Sequence, residues 1–266
     1  MIVLLTGGSS GIGAAAARLL AEAGMKVYAG SRRGTVETPM EGIVPVKLDV
    51  NDKDSLDKAV AGIIATEGRL DAVICNAGNG IYGPVEFTSE EDARYQMETC
   101  FFGTLKTIQA CLPVFRRQNS GRIITVTSVM GVLQLPFQTF YSAAKAATLA
   151  LTDGLAMELK GTGIQCCSIL PGDVSTGFTA ARRFSACPEG ADNPYRAAMD
   201  VNLKKIEKDE LSGMQPELIG KAILGQLRRR RMAARVTPRI DYKAVGLAVR
   251  LLPTRAKIDL ISSIYQ

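Results

Sequence analysis

Histidine is absent from the 266 residues of this chain. This absence excludes histidine-based metal sites, Ser-His-Asp triads and Cys-His dyads. No apolar run approaches the roughly 18 residues that cross a bilayer, so we expect no transmembrane helix. The first residues carry no basic segment ahead of their short apolar run, so we expect no signal peptide. Because histidine is absent, acid–base chemistry must come from Asp, Glu, Tyr, Lys or Cys.

The six cysteines form no C-x-x-C pair, and Cys166 and Cys167 are adjacent. This spacing suits neither a zinc site nor a disulfide framework. We therefore predict buried free thiols, no metal ion and a cytoplasmic protein. The composition, 47% hydrophobic and 22% charged, is that of an ordinary globular protein.

The net charge of +6 is concentrated towards the C-terminal end. Residues 228–266 contain ten basic and two acidic side chains, so the rest of the chain is slightly acidic. This segment lacks interleaved aromatic residues and any reader motif, and we expect no nucleic-acid partner. The alternatives are a solvated helix face or a weak attraction to phosphates or anionic lipid.

Short β-branched segments alternate with helical ones. We predict strands at 2–6, 26–30, 44–48, 72–75, 122–127 and 165–170, and helices at 12–23, 52–66, 90–117 and 141–160. This alternation indicates βαβ crossovers. The sequence therefore predicts an α/β fold, a doubly wound Rossmann-type parallel sheet with helices on both faces.

We predict one domain over 1–240, in which 173–213 is an irregular substrate loop or lid, followed by a helical C-terminal tail at 241–266. The tail is predicted as short helices broken at Pro253. One face of its last helix combines four apolar residues, Ile258, Ile261, Ile264 and Tyr265. We expect this face to pack on the domain or on a partner subunit and to cover the substrate site. Contact of the basic tail with a membrane surface is the less favoured alternative.

A turn rich in glycine and serine joins the first predicted strand to the first helix. It contains Gly7, Ser9, Ser10, Gly11, Ile12 and Gly13. Glycine permits a tight turn and a close approach of the backbone to a pyrophosphate, while the helix N-terminus offers free N–H groups. Because the turn lies between a strand and a helix, it predicts a dinucleotide site rather than a plain turn.

The residues after the second predicted strand bear on the choice of dinucleotide. NAD sites usually place an acid there, which binds the ribose 2′-hydroxyl. This sequence has Arg32 and Arg33, and no acid before Glu37. An arginine can bind a 2′-phosphate through charge-assisted hydrogen bonds. NADP(H) is therefore favoured over NAD(H), and a solvated basic loop is the alternative.

Three polar residues are candidates for catalysis. Tyr141 and Lys145 are four residues apart in a predicted helix, so they lie on one face. Ser128 ends the strand before that helix. Strand ends and the starts of the following helices share the carboxyl edge of a parallel sheet, where ligands bind. We therefore expect the three side chains to meet.

Together these residues make the chain resemble the short-chain dehydrogenase/reductase family over residues 1–240, in its compact Tyr-x-x-x-Lys branch. The resemblance rests on Thr6-Gly7-x-x-x-Gly11-Ile12-Gly13, Asp49, Asn76-Ala77-Gly78, Ser128, Tyr141-x-x-x-Lys145 and Pro171-Gly172-x-Val174-x-Thr176. It implies an NAD(P)-dependent enzyme that interconverts a secondary alcohol and a ketone, and that works as a homodimer or homotetramer.

The resemblance also implies residue roles. Tyr141 is the general acid/base, Lys145 holds the nicotinamide ribose and lowers the Tyr141 pKa, and Ser128 hydrogen-bonds the substrate oxygen. Moving a tyrosine pKa from about 10 to about 7 requires about 4 kcal/mol. The lysine and an oxidised nicotinamide can supply it.

The other matched residues are implied to bind the cofactor. Asp49 contacts the adenine with Val50 beside it, and Asn76 supports the cofactor-side sheet edge, followed by Ala77 and Gly78. Pro171, Gly172, Val174 and Thr176 bind the nicotinamide.

One position departs from the family pattern. The family usually has Asn three residues before a Gly in the long helix, where this sequence has Cys100 before Gly103. That Asn helps to hold a water between the lysine and solvent. If its backbone carbonyl holds the water, Cys100 costs little, whereas a need for the side chain would slow proton relay. A buried structural thiol is expected here rather than a redox switch.

Apolar residues are frequent around the predicted site. They are Met130, Val132, Leu133, Leu135, Pro136, Phe137 and Phe140 before Tyr141, and Phe178, Phe184, Tyr195, Met199 and Leu203 after Pro171. A pocket lined by them suits a large apolar alcohol or ketone. Pro136-Phe137 and Leu252-Pro253 are similar to the branch that acts on hydroxysteroids and retinoids.

Three functions stay open. The first is an NADP(H)-dependent dehydrogenase/reductase for a steroid, retinoid or similar lipid. The second is a 3-oxoacyl-(carrier protein) reductase whose basic tail docks an acidic carrier, in which case added salt should suppress activity. The third is a catalytically weak dinucleotide-binding sensor or interaction protein, against which Ser128, Tyr141 and Lys145 argue.

Overall fold

A computed structural model describes residues 1–188 and 193–265. Its strands are β1 (Ile2–Thr6), β2 (Lys26–Ser31), β3 (Ile43–Lys47), β4 (Ala72–Cys75), β5 (Ile81–Tyr82), β6 (Gly121–Val126), β7 (Ile164–Ile169), β8 (Arg183–Phe184) and β9 (Arg235–Val236). Seven of them form one sheet in the order β3-β2-β1-β4-β6-β7-β9, with every neighbouring pair parallel. The short strands β5 and β8 pair separately.

Helices cover both faces of the main sheet. They are α1 (Gly11–Glu22), α2 (Lys53–Glu67), α3 (Glu90–Met97), α4 (Gly103–Gln118), α5 (Thr139–Glu158), α6 (Arg196–Leu211), α7 (Pro216–Arg228), α8 (Ile240–Leu251) and α9 (Thr254–Tyr265). Helices α2, α4 and α5 pack on one face, and α1 and α7 on the other. The predicted α/β fold, a doubly wound parallel sheet, is confirmed.

Strand β1 shows how the sequence builds the two cores. Val3 and Leu5 point to the layer of α1 and α7, whereas Leu4 points to the layer of α2 and α4. All three are fully buried. Successive side chains of a strand face opposite sides, so a continuous apolar strand requires helices on both faces of its sheet.

Cys166 and Cys167 illustrate the same alternation on β7. They are consecutive and belong to opposite cores, so they cannot bond to each other. All six cysteines are free, and five of them are buried, as predicted. Within the described residues, no helix combines the length and apolarity needed to cross a membrane.

Three segments differ from the predicted elements. The helix predicted over 90–117 is divided into α3 and α4 by a π turn, Glu98–Phe102. The loop predicted as irregular over 173–213 contains β8 and the 16-residue helix α6. Helix α6 has no clear apolar pattern in the sequence, because its buried residues include Asn202 and Glu210 as well as Ile206. Helix α7 and strand β9 were not among the predicted elements. The break at Pro253, between α8 and α9, is where the sequence predicts it.

Candidate active site

The predicted site residues lie beyond the carboxyl ends of neighbouring strands of the main sheet. They are Asp49 and Val50 after β3, Arg32 and Arg33 after β2, Gly7 to Gly13 after β1, Asn76 to Gly78 after β4, Ser128 after β6 and Pro171 to Thr176 after β7. Tyr141 and Lys145 join them from the first two turns of α5. Parallel strands therefore bring residues that are far apart in sequence to one edge.

The glycine turn is closely packed against the end of β4. Gly7 has a φ of +67°, and a Cβ placed on it would lie 2.9 Å from the Ala77 Cα. A Cβ on Gly13 would lie 2.0 Å from the Gly7 carbonyl oxygen. The Asn76 side-chain amide donates to the carbonyl oxygens of Thr6, at 3.1 Å, and of Gly7, at 3.0 Å. Backbone and glycine therefore fill this turn, which has no room for side chains at Gly7 and Gly13.

The N-terminus of α1 fits the phosphates of a dinucleotide. Ser10 precedes the helix in an extended conformation, and its side chain makes no capping hydrogen bond within the described structure. The first-turn N–H groups thus keep their capacity to bind an anion. Across the turn, a Cβ on Gly11 would lie 3.3 Å from the Thr176 Cβ. The turn expected to bind the phosphates is therefore bounded by the segment expected to bind the nicotinamide.

Arg32 and Arg33 follow β2 directly, and both are exposed. Strand β2 lies next to β1, and the Gly8 N–H donates to the Gly30 carbonyl at 3.0 Å. The two arginines thus begin one residue beyond Ser31, at the strand end beside the glycine turn. This is the position in which a guanidinium can reach a phosphate on the adenosine ribose.

Asp49 and Val50 follow β3, which is an edge strand of the main sheet. The Asp49 Oδ1 accepts from the backbone N–H of Asn51 at 2.9 Å. Val50 is buried, and a Cβ on Gly103 would lie 2.7 Å from its Cγ2. Val50 therefore packs against the start of α4.

The structure brings Ser128, Tyr141 and Lys145 together. Lys145 is buried, and its Nζ donates to the Val126 carbonyl at 3.0 Å and lies 5.6 Å from the centroid of the Tyr141 ring. Ser128 is also buried, and its Oγ accepts from the Met130 N–H at 3.1 Å. These bonds hold the ammonium and the serine hydroxyl beside the phenol.

The environment of Tyr141 keeps its phenol protonated. Burial, and secondarily the neighbouring Cys100, raise the Tyr141 pKa above its ordinary value, while a hydrogen bond with Ser128 acts in the opposite direction. The balance is an upward shift, because burial disfavours the phenolate, and it is opposite to the lowering by Lys145 that the family resemblance implies. At neutral pH this residue is therefore a proton donor.

Cys100 lies in the π turn between α3 and α4 and is 1% exposed. Its Sγ is 3.1 Å from the Gln96 Nε2 and 3.4 Å from the Asn79 Oδ1. Its carbonyl oxygen accepts from the hydroxyl of Thr148, at 3.0 Å, and of Thr104. Cys100 is thus a buried thiol in a polar network beside the site, and π turns often occur at functional sites.

Three interactions near the site go beyond the roles that the sequence analysis assigned. The Phe178 ring packs edge-on against Tyr141, with centroids 5.7 Å apart. The Tyr242 ring of α8 covers Gly172, and its hydroxyl donates to the Asp173 carboxylate. The pattern predicts Phe178 only as a pocket residue, and nothing local predicts Tyr242, because its partners lie about 70 residues earlier.

The third interaction is a buried ion pair between Arg182 and Glu210. The Arg182 side chain is 1% exposed and the Glu210 side chain 11%. Glu210 also accepts from the Thr179 hydroxyl at 2.6 Å. This pair joins the segment after β7 to the end of α6, and both charges influence the Tyr141 pKa.

An aromatic cluster lies between β5, β8 and α6. The Tyr82 ring is 5.9 Å from Phe137 and 5.7 Å from Phe184, measured between centroids. The Tyr82 hydroxyl donates to the Met199 carbonyl at 2.8 Å and lies 3.1 Å from the Asn202 Oδ1. The fold therefore brings together, in one cluster, apolar pocket residues that precede Tyr141 and follow it in the sequence.

Residues 1–185 match the family model described as short chain dehydrogenase. The chain belongs to the short-chain dehydrogenase/reductase family. It is accordingly an NAD(P)-dependent oxidoreductase, and the family predicted from the motifs is confirmed.

Two named relatives differ in how much of the chain they match. A 3-ketodihydrosphingosine reductase of Bacteroides thetaiotaomicron is 38% identical over 268 residues, which cover 100% of this chain and 95% of that protein. The mouse 17-beta-hydroxysteroid dehydrogenase type 1 is 36% identical over 189 residues, which cover 66% of this chain and 55% of that protein.

Solved structures share the fold over nearly the whole chain. A short-chain dehydrogenase from Streptomyces avermitilis has a TM-score of 0.84 at 28% identity, covering 99% of this chain and 96% of that one. A short chain dehydrogenase from Burkholderia cenocepacia in complex with NADP has a TM-score of 0.77 at 25% identity, covering 98% and 96%. A relative from Burkholderia phymatum, in complex with NAD, has a TM-score of 0.79 at 23% identity, covering 97% and 94%. The cofactor class of this family is therefore a nicotinamide dinucleotide.

Proposed function

We propose that this chain is an NADP(H)-dependent ketone reductase whose substrate carries a long apolar chain, as in the reaction that names its Bacteroides relative. The observation that carries the proposal is the match to that relative over the whole chain. Because the match extends past residue 185, it includes α6, α8 and α9, which surround the site. The steroid enzyme leaves about a third of the chain unmatched.

A reduced nicotinamide would supply the hydride. The protein's part is to hold the ketone and to donate a proton to its oxygen. Tyr141 is the donor, because burial keeps its phenol protonated. Ser128 lies beside it with its hydroxyl oriented by Met130 and Pro171, and this hydroxyl hydrogen-bonds the same substrate oxygen.

Lys145 serves the cofactor and the proton supply. Its Nζ has one protein acceptor, the Val126 carbonyl at 3.0 Å, within the described chain. An ammonium has three N–H donors, so two are free to bind the hydroxyls of the nicotinamide ribose. Cys100 is 1% exposed, which favours a structural role for its thiol over a redox one.

The choice of NADP(H) rests on Arg32 and Arg33. Both are exposed at the end of β2, and no acid stands between them and Glu37. We expect Arg32→Ala to raise the KM for NADPH about tenfold to a hundredfold, the value of a lost charge-assisted hydrogen bond, and to leave the KM for NADH unchanged. An equal effect on both cofactors in steady-state kinetics would contradict this assignment.

The carrier-protein alternative depends on where the basic segment lies. Arg122 near the start of β6 donates to the Arg229 carbonyl, and Gln165 near the start of β7 donates to the Arg230 carbonyl. Arg228 to Arg231 therefore lie at the amino edge of the sheet, about 20 Å from the catalytic edge for strands of six residues. A carrier docked on these four arginines would be at the wrong end of the molecule, so the carrier-protein alternative depends on the basic residues of α8 and α9, near the catalytic edge.

The proposal is tested by following NADPH oxidation at 340 nm. The substrates are a long-chain 2-amino-3-ketone, a 17-ketosteroid, retinal and a 3-oxoacyl thioester. We expect turnover of the long-chain amino ketone, and a loss of about 10²- to 10⁴-fold in kcat in Tyr141→Phe, with NADPH binding retained. Turnover of the steroid alone, or of the thioester alone, would overturn the substrate assignment.

NADPH binding without turnover of any of these substrates would instead support a dinucleotide sensor. The intact arrangement of Ser128, Tyr141 and Lys145 argues against that outcome. The binding measurement is made by fluorescence titration on the same preparation, so that an unfolded sample is recognised.

A further inference from the structure

Helix α9 lies over the elements that border the substrate side of the site. The Asn202 side chain of α6 donates to the Tyr265 carbonyl at 3.0 Å, and Lys257 donates to Gln134, in the segment before Tyr141, at 3.2 Å. Ile261 is the buried residue of this helix. Tyr265 also packs on the aromatic cluster that contains Tyr82. Helix α9 therefore bridges the segment before Tyr141 and α6.

The outer surface of α9 is apolar and exposed. Leu260 and Ile264 are 47% and 48% exposed, and they are four residues apart, so they share one face. Ile258 is 50% exposed, and Leu251, the last residue of α8, is 78% exposed. Of the four apolar residues expected to pack on the domain, Ile258 and Ile264 thus remain largely uncovered.

The segment that forms α8 and α9 contains more basic than acidic residues. Residues 239–265 contain five Lys or Arg and two Asp. Lys257 lies three residues before Leu260 on the same face of α9 and Lys243 is exposed on α8, whereas Arg239 and Arg255 are paired with Asp241 and Asp259. Apolar residues mixed with Lys and Arg on a short helix are typical of helices that lie in the plane of a membrane interface. A subunit interface, in contrast, is depleted of Lys in its core.

We propose that α9 and the end of α8 dock on the surface of an anionic lipid bilayer. The apolar side chains Leu251, Leu260 and Ile264 enter the interface, and the basic residues lie among the lipid headgroups. Because α9 borders the substrate side of the site, this orientation places that side of the molecule towards the membrane, the source of an apolar-chain substrate. The role in substrate delivery rests on the proposed function, whereas the docking itself does not.

The docking is tested by co-sedimentation of the full chain with vesicles of phosphatidylcholine that contain about a third phosphatidylglycerol. We expect Leu260→Ser/Ile264→Ser to weaken binding at least about tenfold, since two apolar side chains no longer enter the interface. The matched control is Met157→Ser, because Met157 is 71% exposed at the far end of α5. It should bind like the unchanged protein.

The opposite end of the molecule supplies the decisive comparison. Arg230→Gln/Arg231→Gln removes two exposed charges from the amino edge and should leave sedimentation unchanged at physiological salt. Loss of binding in this variant, with retention in Leu260→Ser/Ile264→Ser, would overturn the proposal. A change in oligomeric state of the α9 variant by light scattering, without vesicle binding by the unchanged protein, would show instead that a second copy covers this face.

Activity measurements separate the docking from the proposed function. For a long-chain ketone presented in vesicles, we expect kcat/KM of Leu260→Ser/Ile264→Ser to fall about tenfold. For a short, water-soluble ketone it should be unchanged. Equal effects on both substrates would contradict a role in delivery. If neither ketone is reduced by the unchanged protein, the proposed function fails, and sedimentation still decides the docking.

Discussion

The glycine-turn half of the site and the C-terminal segment that completes it are held by different kinds of contact. Around Gly7 and Gly13, backbone packs on backbone, and an added Cβ would lie 2.0 to 2.9 Å from main-chain atoms. Around α6 and α8, side chains make the contacts, through the Arg182–Glu210 pair and the Tyr242–Asp173 bond. The comparison teaches that the glycine turn depends on close backbone geometry, whereas the C-terminal segment is joined to the site by a few buried polar side-chain contacts.

The largest effect is expected where the C-terminal segment is tied to the site. Glu210→Ala leaves the Arg182 guanidinium buried without its partner, which typically costs 3–5 kcal/mol. We expect the free energy of unfolding to fall by about that amount, as measured by urea denaturation. The control is Glu217→Ala, which removes an exposed partner of Arg18 and should cause no measurable loss. Equal stabilities of the two variants would remove the distinction between the two regions.

A smaller effect is expected in the glycine turn. Gly13→Ala forces a methyl group against the Gly7 carbonyl oxygen, and overpacking of this kind costs about 1–3 kcal/mol. We expect that loss of stability, together with weaker NADPH binding in a fluorescence titration. Gly62→Ala on α2 is the matched control, because a Cβ there meets nothing within 4 Å and should stabilise the helix slightly. If Gly13→Ala bound NADPH with unchanged affinity, the proposal that the closely packed backbone of the glycine turn binds the dinucleotide would be contradicted.

The smallest effect is expected in the dependence of kcat/KM on pH. This dependence reports on Tyr141, which lies between the glycine turn and the C-terminal segment. Ketone reduction needs the protonated phenol, and burial raises the Tyr141 pKa above its ordinary value of about 10. We therefore expect kcat/KM for reduction to change little across neutral pH and to fall only as the pH passes that raised pKa. A fall between pH 6 and 8 in stopped-flow measurements would show that another group controls proton transfer.

Much of the fold and of the cofactor half could be predicted because the signals are local. Six strands, the break at Pro253 and the carboxyl-edge position of Tyr141, Lys145 and Ser128 follow from apolar pattern and spacing. The π turn at Cys100 was not predicted, because the whole of 90–117 was interpreted as one continuous helix. NADP(H) specificity and assembly as a homodimer or homotetramer stay predictions.

The sequence by itself determined the parallel sheet, its two cores and the strand-end motifs, because alternation and spacing act over a few residues. Only the tertiary structure decided how the basic C-terminal segment is used. The arginines at 228–231 lie at the amino edge, and α9 lies beside the catalytic edge. It also decided the Arg182–Glu210 and Asp173–Tyr242 contacts, which join residues 28 and 69 positions apart. Contacts of that separation depend on how whole elements pack, and no local pattern of residues encodes them.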